Sequence, residues 1–530
     1  MHDSVDDNLS NTLSNSDQRP HSDPGTLLSG FLALIAAVVF ASGIILWQNL
    51  SEDSQYALIG EPVPETVISA EVSAPGMFGQ FDLPARMFIR GKSMLAEHSE
   101  MVMSQFELAY EPEDQIRRII MSGEFGGAES ALSLIETTRL ELKSRLDDVE
   151  VSENGRVVQG DGIVLEELDE SGSAELSRLS IVFDELDSLG SIYSTGPDSI
   201  EESMRDQLLV RYGILGQAAV THGIDDSDPR RQPIVNGFIW IALLMFGLIG
   251  LFVFGFLSGL VLLIIGIVRM FEGKLVMRCE KPAAGGSVFL ETYAVFLLAF
   301  GVLSIGVFLL ASKVNPMLGV LSLPLQWLLM VVPAWALMRG MKSPDWRRAI
   351  GLHSGEGVMK EIGCGVLAYL ASVPLYAVGV GITFLIMILQ GLVSMGSGSG
   401  GGDPEPMPTN PILEMLAGSG IVGALLILTL ATIWAPITEE LIFRGALYRH
   451  MRGRLHWILA ALLTALLFAY MHSYGPLMVA PLIALGFMFA FMRQWRGSII
   501  APITAHFVHN ATLVVFMILF VNLLKDPVFI

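Results

Sequence analysis

The sequence predicts an all-α protein: a polytopic membrane helix bundle of about nine spans, with a mainly helical soluble insertion between spans one and two. Three observations carry that prediction. Of 530 residues, 52% are hydrophobic and only 16% are charged, against roughly a quarter charged in ordinary soluble domains. The apolar residues gather into runs near the ~20 residues that a membrane helix needs. The formal charge of −21 is concentrated, because residues 50–232 carry 36 acids and 14 bases while the chain beyond them is slightly basic. A single soluble globule is therefore excluded. Nucleic acid is not an expected partner of so acidic a segment. Two cysteines, Cys279 and Cys364, flank apolar runs and suggest no disulfide framework.

In chain order, residues 1–26 form a Ser/Asp/Asn-rich tail whose composition predicts disorder. Residues 27–47 form the first span. The tail before it is acidic, and no small-residue cleavage site follows, so an uncleaved anchor is expected. Segment 50–232 reads as a soluble domain, with helical periodicity at 128–146, 173–189 and 199–220. Asn154-Gly155 and Gly160-Asp161-Gly162 mark turns around a short strand pair. This domain holds no nucleophile motif or metal-ligand spacing, and a binding or regulatory role suits it. Accessory spans follow at 234–268, 287–311 and 318–338. The last region, 340–523, holds spans at 362–392, 419–443, 456–472, 476–492 and 498–523. The Gly- and Pro-rich stretch 396–411 reads as a flexible loop.

Lys and Arg set the expected orientation. Fifteen of them fall in the loops after spans two, four, six and eight, against Lys313 and Lys525 on the opposite side. The basic side is expected to be cytoplasmic. The N-terminus then lies inside and residues 50–232 are extracytoplasmic, in a multi-pass protein of the inner (plasma) membrane. The bilayer itself is the first expected partner.

Ionisable groups in hydrocarbon are costly and usually functional. Three clusters of them fall within spans six, seven and nine. In the first, Glu440 and Arg444 are spaced i,i+4 on a helix, which suits an ion pair. Glu439 is rotated about 100° from Glu440 and is free to act as a base. The second cluster ends at His472, after Phe468. In the third, His506 and Asn510 share a helix face, with His509 between them. A carboxylate and an imidazole can hold and deprotonate a water. A second imidazole and an amide can donate to a developing oxyanion. The same set could instead bind Zn²⁺ through Glu439, His472 and His506, leaving a position for water. It could also be a polar network that merely holds helices together, or a proton path in a transporter. At ~1.5 Å per residue, Glu439 and His506 each lie ~15 Å from the basic end, whereas His472 lies ~27 Å from Arg454, too high for an upright helix.

These clusters, EELIFR, FAYMH and HFVHN, taken in this order on late membrane helices, resemble the CAAX protease and bacteriocin-processing (CPBP, or Abi) family. The family pattern is Glu-Glu-x3-Arg, Phe-x3-His and His-x3-Asn, and all three parts match. WRRAIGL at 346–352 resembles the family's segment before the core helices. The resemblance covers roughly 340–523. It implies an intramembrane endopeptidase, often classed as a metalloprotease, acting on membrane-associated protein or peptide substrates. By residue, Glu439 matches the essential glutamate and His472 its water-activating partner. His506 and Asn510 match the positions given to the oxyanion site or to a metal such as zinc, and Glu440 with Arg444 matches a structural pair. His509 is additional to the pattern. The remaining alternatives are a catalytically silent immunity or scaffold protein and a transporter; no inverted repeat is visible to favour the latter.

Overall fold

The computed structural model describes residues 23–48, 85–86, 88–89, 103, 111–152, 170–235, 237–283, 285–396, 421–472 and 479–524. Among them every regular element is helical, as the patterning predicts. The strand pair expected around 154–162 and nearly all of the loop 396–411 lie outside the described residues. The first helix, α1, spans Leu27–Gln48. The chain divides into two compact units, one of them centred on Pro64–Gly250.

That unit holds α2 (Pro112–Gly126), α3 (Ala128–Ser152), α4 (Glu170–Thr195), α5 (Glu202–Tyr212) and α6 (Ile214–Val220). The start of α2 follows from Pro112 in its first turn, with Glu113 and Asp114 beside it. Proline loses no helical bond there, and acids favour the positive end of the helix. The expected helix 199–220 is broken at Gly213, whose φ of 55° and ψ of −121° leave the helical range. The chain then folds back so tightly that a Cβ on Gly216 would collide with the Leu208 carbonyl oxygen. Ile116, Ile119, Leu179, Val182, Leu186 and Leu208 help build one apolar core. Two buried polar contacts lie beside it: Tyr212 donates to Glu185 at 2.6 Å, and Arg231 to Glu124 at 2.9 Å.

The next helix, α7, covers Gly237–Phe271. The second unit then contains α8 (Val288–Lys313), α9 (Ser343–Ile350), α10 (Val358–Gly396), nearly all of the composite α11 (Val422–Arg452), α12 (Trp457–Tyr470), α13 (Val479–Arg496) and most of α14 (Ile500–Leu524). Among the described residues five helices are long and apolar enough to cross a membrane, lying in α7, α8, α10, α11 and α14. Leu27–Gly43, Ser322–Met338 and Trp457–Tyr470 are shorter apolar stretches. The expected span 318–338 is not one regular helix. It alternates 3₁₀ turns (Pro316–Leu321, Trp327–Ala334) with one-turn α pieces. Pro324 and Pro333 interrupt its ladder because proline has no amide to donate.

Small residues set the packing of the last helices, as is usual where helices meet without water. A Cβ on Gly379 of α10 would lie 2.7 Å from Pro481 of α13, and one on Gly486 of α13 would lie 3.0 Å from Ala465 of α12. Around the start of α1, the Pro24 carbonyl accepts from the Ser287 amide at 2.9 Å, and Ser29 meets Ser287 at 2.8 Å. Asp23 takes both arms of Arg449 at 2.8 and 3.1 Å.

Candidate active site

Two π-helical stretches, Leu430–Trp434 and Leu441–Leu447, interrupt α11 and flank the pair Glu439-Glu440. Such widened turns often mark functional positions, because they rotate the side chains beyond them. Arg444 Nη1 donates to Glu440 Oε1 at 2.8 Å, and both side chains are wholly buried. The second arm of Arg444 donates to the Gly486 carbonyl of α13 at 3.0 Å. Its guanidinium carbon lies 4.4 Å from the Phe468 ring centre and 5.2 Å from that of Phe489. A cation held between two aromatic faces is compensated by their quadrupoles as well as by its carboxylate.

His506 of α14 joins the two glutamates. Its Nδ1 lies 2.9 Å from Glu440 Oε1. With Glu440 ionised beside Arg444, the carboxylate can only accept, so Nδ1–H donates. That bond fixes the ring and turns Nε2 toward Glu439, whose Oε2 lies 3.9 Å away. The Phe489 ring stacks on the imidazole at 5.1 Å, and the Phe468 ring meets it edge-on at 6.0 Å. Glu439 Oε2 is buried and accepts no hydrogen bond, and neither does Glu440 Oε2. Orphaned acceptors of this kind are rare in a native interior and call for an explanation.

His472 follows the last turn of α12, with Nδ1 2.8 Å from the Phe468 carbonyl and its ring 4.7 Å from the Phe468 ring. Phe468 in turn lies against Arg444, so His472 is one helical turn beyond a residue of the aromatic wall around that cation. Asn510 Nδ2 donates to the Ala431 carbonyl at 2.8 Å, inside the first π-helical stretch. His509 turns to α10: its Nδ1 is 3.4 Å from Tyr369 Oη, and its ring meets Tyr369 and Tyr376 edge-on.

The zinc expectation for Glu439, His472 and His506 meets a different donor set. Among the described residues no group of three or more His, Cys, Asp and Glu could hold a metal ion. Glu439 and His506 supply two donors, and one nitrogen of that histidine is spent on Glu440. In this arrangement the residues do not fit a zinc ion.

Three residues in or beside the cluster carry no sequence signal of their own. Phe489 lies in an apolar run. The Gly486 carbonyl belongs to the backbone. Thr438 is wholly buried with an unpartnered Oγ1, and only its position before the two glutamates marks it.

Residues 421–512 match the family model of Rce1-like type II CAAX prenyl endopeptidases. The match runs from the start of α11 into α14 and so includes every residue of the glutamate–histidine cluster. It agrees with the CPBP resemblance and supports a membrane protease. A stretch of the chain is 28% identical over 204 residues to an uncharacterized 24.3 kDa protein of Escherichia coli, covering 34% of this chain and 91% of that relative. Another comparison gives 31% identity over 80 residues to the uncharacterized protein YpbD of Bacillus subtilis (strain 168), covering 15% of this chain and 40% of that relative. No solved structure matches the chain.

Proposed function

We propose that the protein is an intramembrane endopeptidase that cleaves peptide bonds of membrane-associated proteins with a water activated by Glu439 and histidine. One observation carries this reading: Glu439 Oε2 is buried without a donor, 3.9 Å from a His506 Nε2 whose ring is pinned from behind by Glu440. A separation of that size suits one water donating a hydrogen to each acceptor. Its lone pairs then point away from both, toward a substrate carbonyl. As the water oxygen bonds to that carbon, Glu439 takes the proton. The carbonyl becomes an oxyanion, for which Asn510 has a second N–H beyond the one given to Ala431. Collapse breaks the C–N bond, and the proton on Glu439 passes to the leaving amine. His472 donates through Nδ1 to a backbone carbonyl, which fixes its ring and puts Nε2 in the acceptor form that can steady the water. Arg444 and Glu440 serve as the support that holds His506.

The membrane would be the inner (plasma) membrane, with the basic loops cytoplasmic. The test compares membrane proteomes of cells carrying the wild type and Glu439→Gln. Full-length membrane proteins should accumulate in the variant, with their fragments present only with the wild type. Identical proteomes, with both proteins folded and equally abundant, would leave the silent scaffold reading in its place.

A further inference from the structure

A second polar concentration in the membrane unit contains no member of the glutamate–histidine cluster. A cavity of about 940 Å³ opens among the segment after α7, the turns flanking α9, and the C-terminal ends of α11 and α13. Seven Lys and Arg residues line it against four Asp and Glu. Two of those carboxylates are already engaged. Asp23 is held by Arg449, and Glu356 by Arg278 at 2.6 Å and Arg496 at 2.7 Å. Lys281, Lys342, Arg348 and Arg493 line the same cavity and make no ion pair among the described residues.

Arg493 is the informative member. It is 3% exposed. Its guanidinium donates to the carbonyls of Ala349 and Gly497, and Nε has no partner. A buried cation supplied only with neutral acceptors keeps most of its desolvation cost. An anion in the cavity would offset it. The walls are also fixed in advance. The amides of Arg278 and Cys279 donate to the carbonyls of Trp495 and Gln494, the Ile499 amide donates to Gly351, and Ser498 Oγ donates to the His353 carbonyl at 2.7 Å. A site built before its ligand arrives loses little entropy on binding.

We propose that this cavity binds a phosphate-bearing anion. Guanidinium groups match phosphate oxygens in pairs, and ammonium groups add point charge. The cavity lies at the polar ends of long apolar helices, the level at which a bilayer carries its phosphates. Two sources share that chemistry: the headgroup of an anionic phospholipid, and a free phosphate ester.

The full-length protein in neutral detergent is titrated calorimetrically with inorganic phosphate at constant ionic strength. In parallel, its thermal midpoint is measured in nanodiscs of phosphatidylglycerol and of phosphatidylcholine. The comparison variant is K281Q/K342Q/R348Q, whose three side chains are exposed. Saturable phosphate binding that weakens at least tenfold in the variant supports a free phosphate ester. A midpoint raised by phosphatidylglycerol in the wild type alone, without saturable phosphate binding, supports the lipid headgroup. Absence of both responses, or equal responses in the wild type and the triple variant, overturns the proposal. Glu439→Gln should bind phosphate as the wild type does, which separates this test from that of peptidase activity.

Discussion

One oxygen, Glu440 Oε1, accepts from both Arg444 and His506, so a single side chain sets the orientation of two others. Its neighbour Glu439 has an oxygen with nothing to accept. Adjacent identical residues thus have opposite expectations. Glu439→Gln should lower cleavage by ~10²–10⁴-fold, the usual worth of a general base, with the thermal midpoint unchanged. Cleavage of a membrane-tethered reporter measures the first effect and detergent melting the second. A Gln variant that cleaves at the wild-type rate would remove Glu439 from the mechanism. Glu440→Gln and Arg444→Met should each cost roughly 3–5 kcal/mol, because each strands a buried charge. The double variant should regain part of that loss in the same melting assay. The motif spacing singled out the glutamates, the arginine and both histidines. It could not reveal that His506 bridges the two glutamates, because that contact joins residues 66 positions apart. Nor could it reveal the aromatic faces around Arg444, since Phe489 looks like any other apolar residue of its helix.

Helices were legible in proportion to their periodicity. The 128–146 and 173–189 patterns extend to Ala128–Ser152 and Glu170–Thr195. The helix Pro112–Gly126 went unread, although its proline and early acids are start signals. The π-helical stretches of α11 leave no compositional trace, since a widened turn exchanges one backbone bond pattern for another. Close packing of α12 and α13 depends on Gly486, where an added Cβ would also lie 3.3 Å from Arg444 Nη2. Gly486→Val should therefore destabilise by about 1–3 kcal/mol, the usual range for overpacking. It should also reduce cleavage, and reporter assays at matched folded protein would detect that. The turn between α9 and α10 makes a pH prediction. Hydrogen bonds from Arg496 and Lys360 hold the Glu356 carboxyl down to about 2, below its ordinary 4.5. A lowered carboxylate value means that its stabilisation is complete above pH ~4.5 and is lost as pH falls toward 2. Melting midpoints across that window should fall less steeply in Glu356→Gln than in the wild type. Parallel curves would exclude Glu356 from the acid limb.

At the scale of the whole chain, an acidic helical unit and an apolar one have separate cores and separate polar networks. The proposed orientation, with the basic loops inside, predicts that protease added to sealed spheroplasts will release fragments of residues 50–232. Cleavage only after lysis would reverse the orientation. One tie crosses nearly the full sequence. Asp23 and Arg449 are separated by 426 positions, and Ser29 and Ser287 by 258. This has a consequence for biogenesis. The start of the first helix leaves the ribosome long before either partner exists, so its seat must wait for later helices to be inserted. A chain halted before residue 449 should keep Asp23 open to solvent, and a cysteine placed beside it, at Pro24, should react quickly with a membrane-impermeant maleimide. Completion of the chain should slow that reaction, so the labelling rate of the N-terminal segment would report when α11 has arrived.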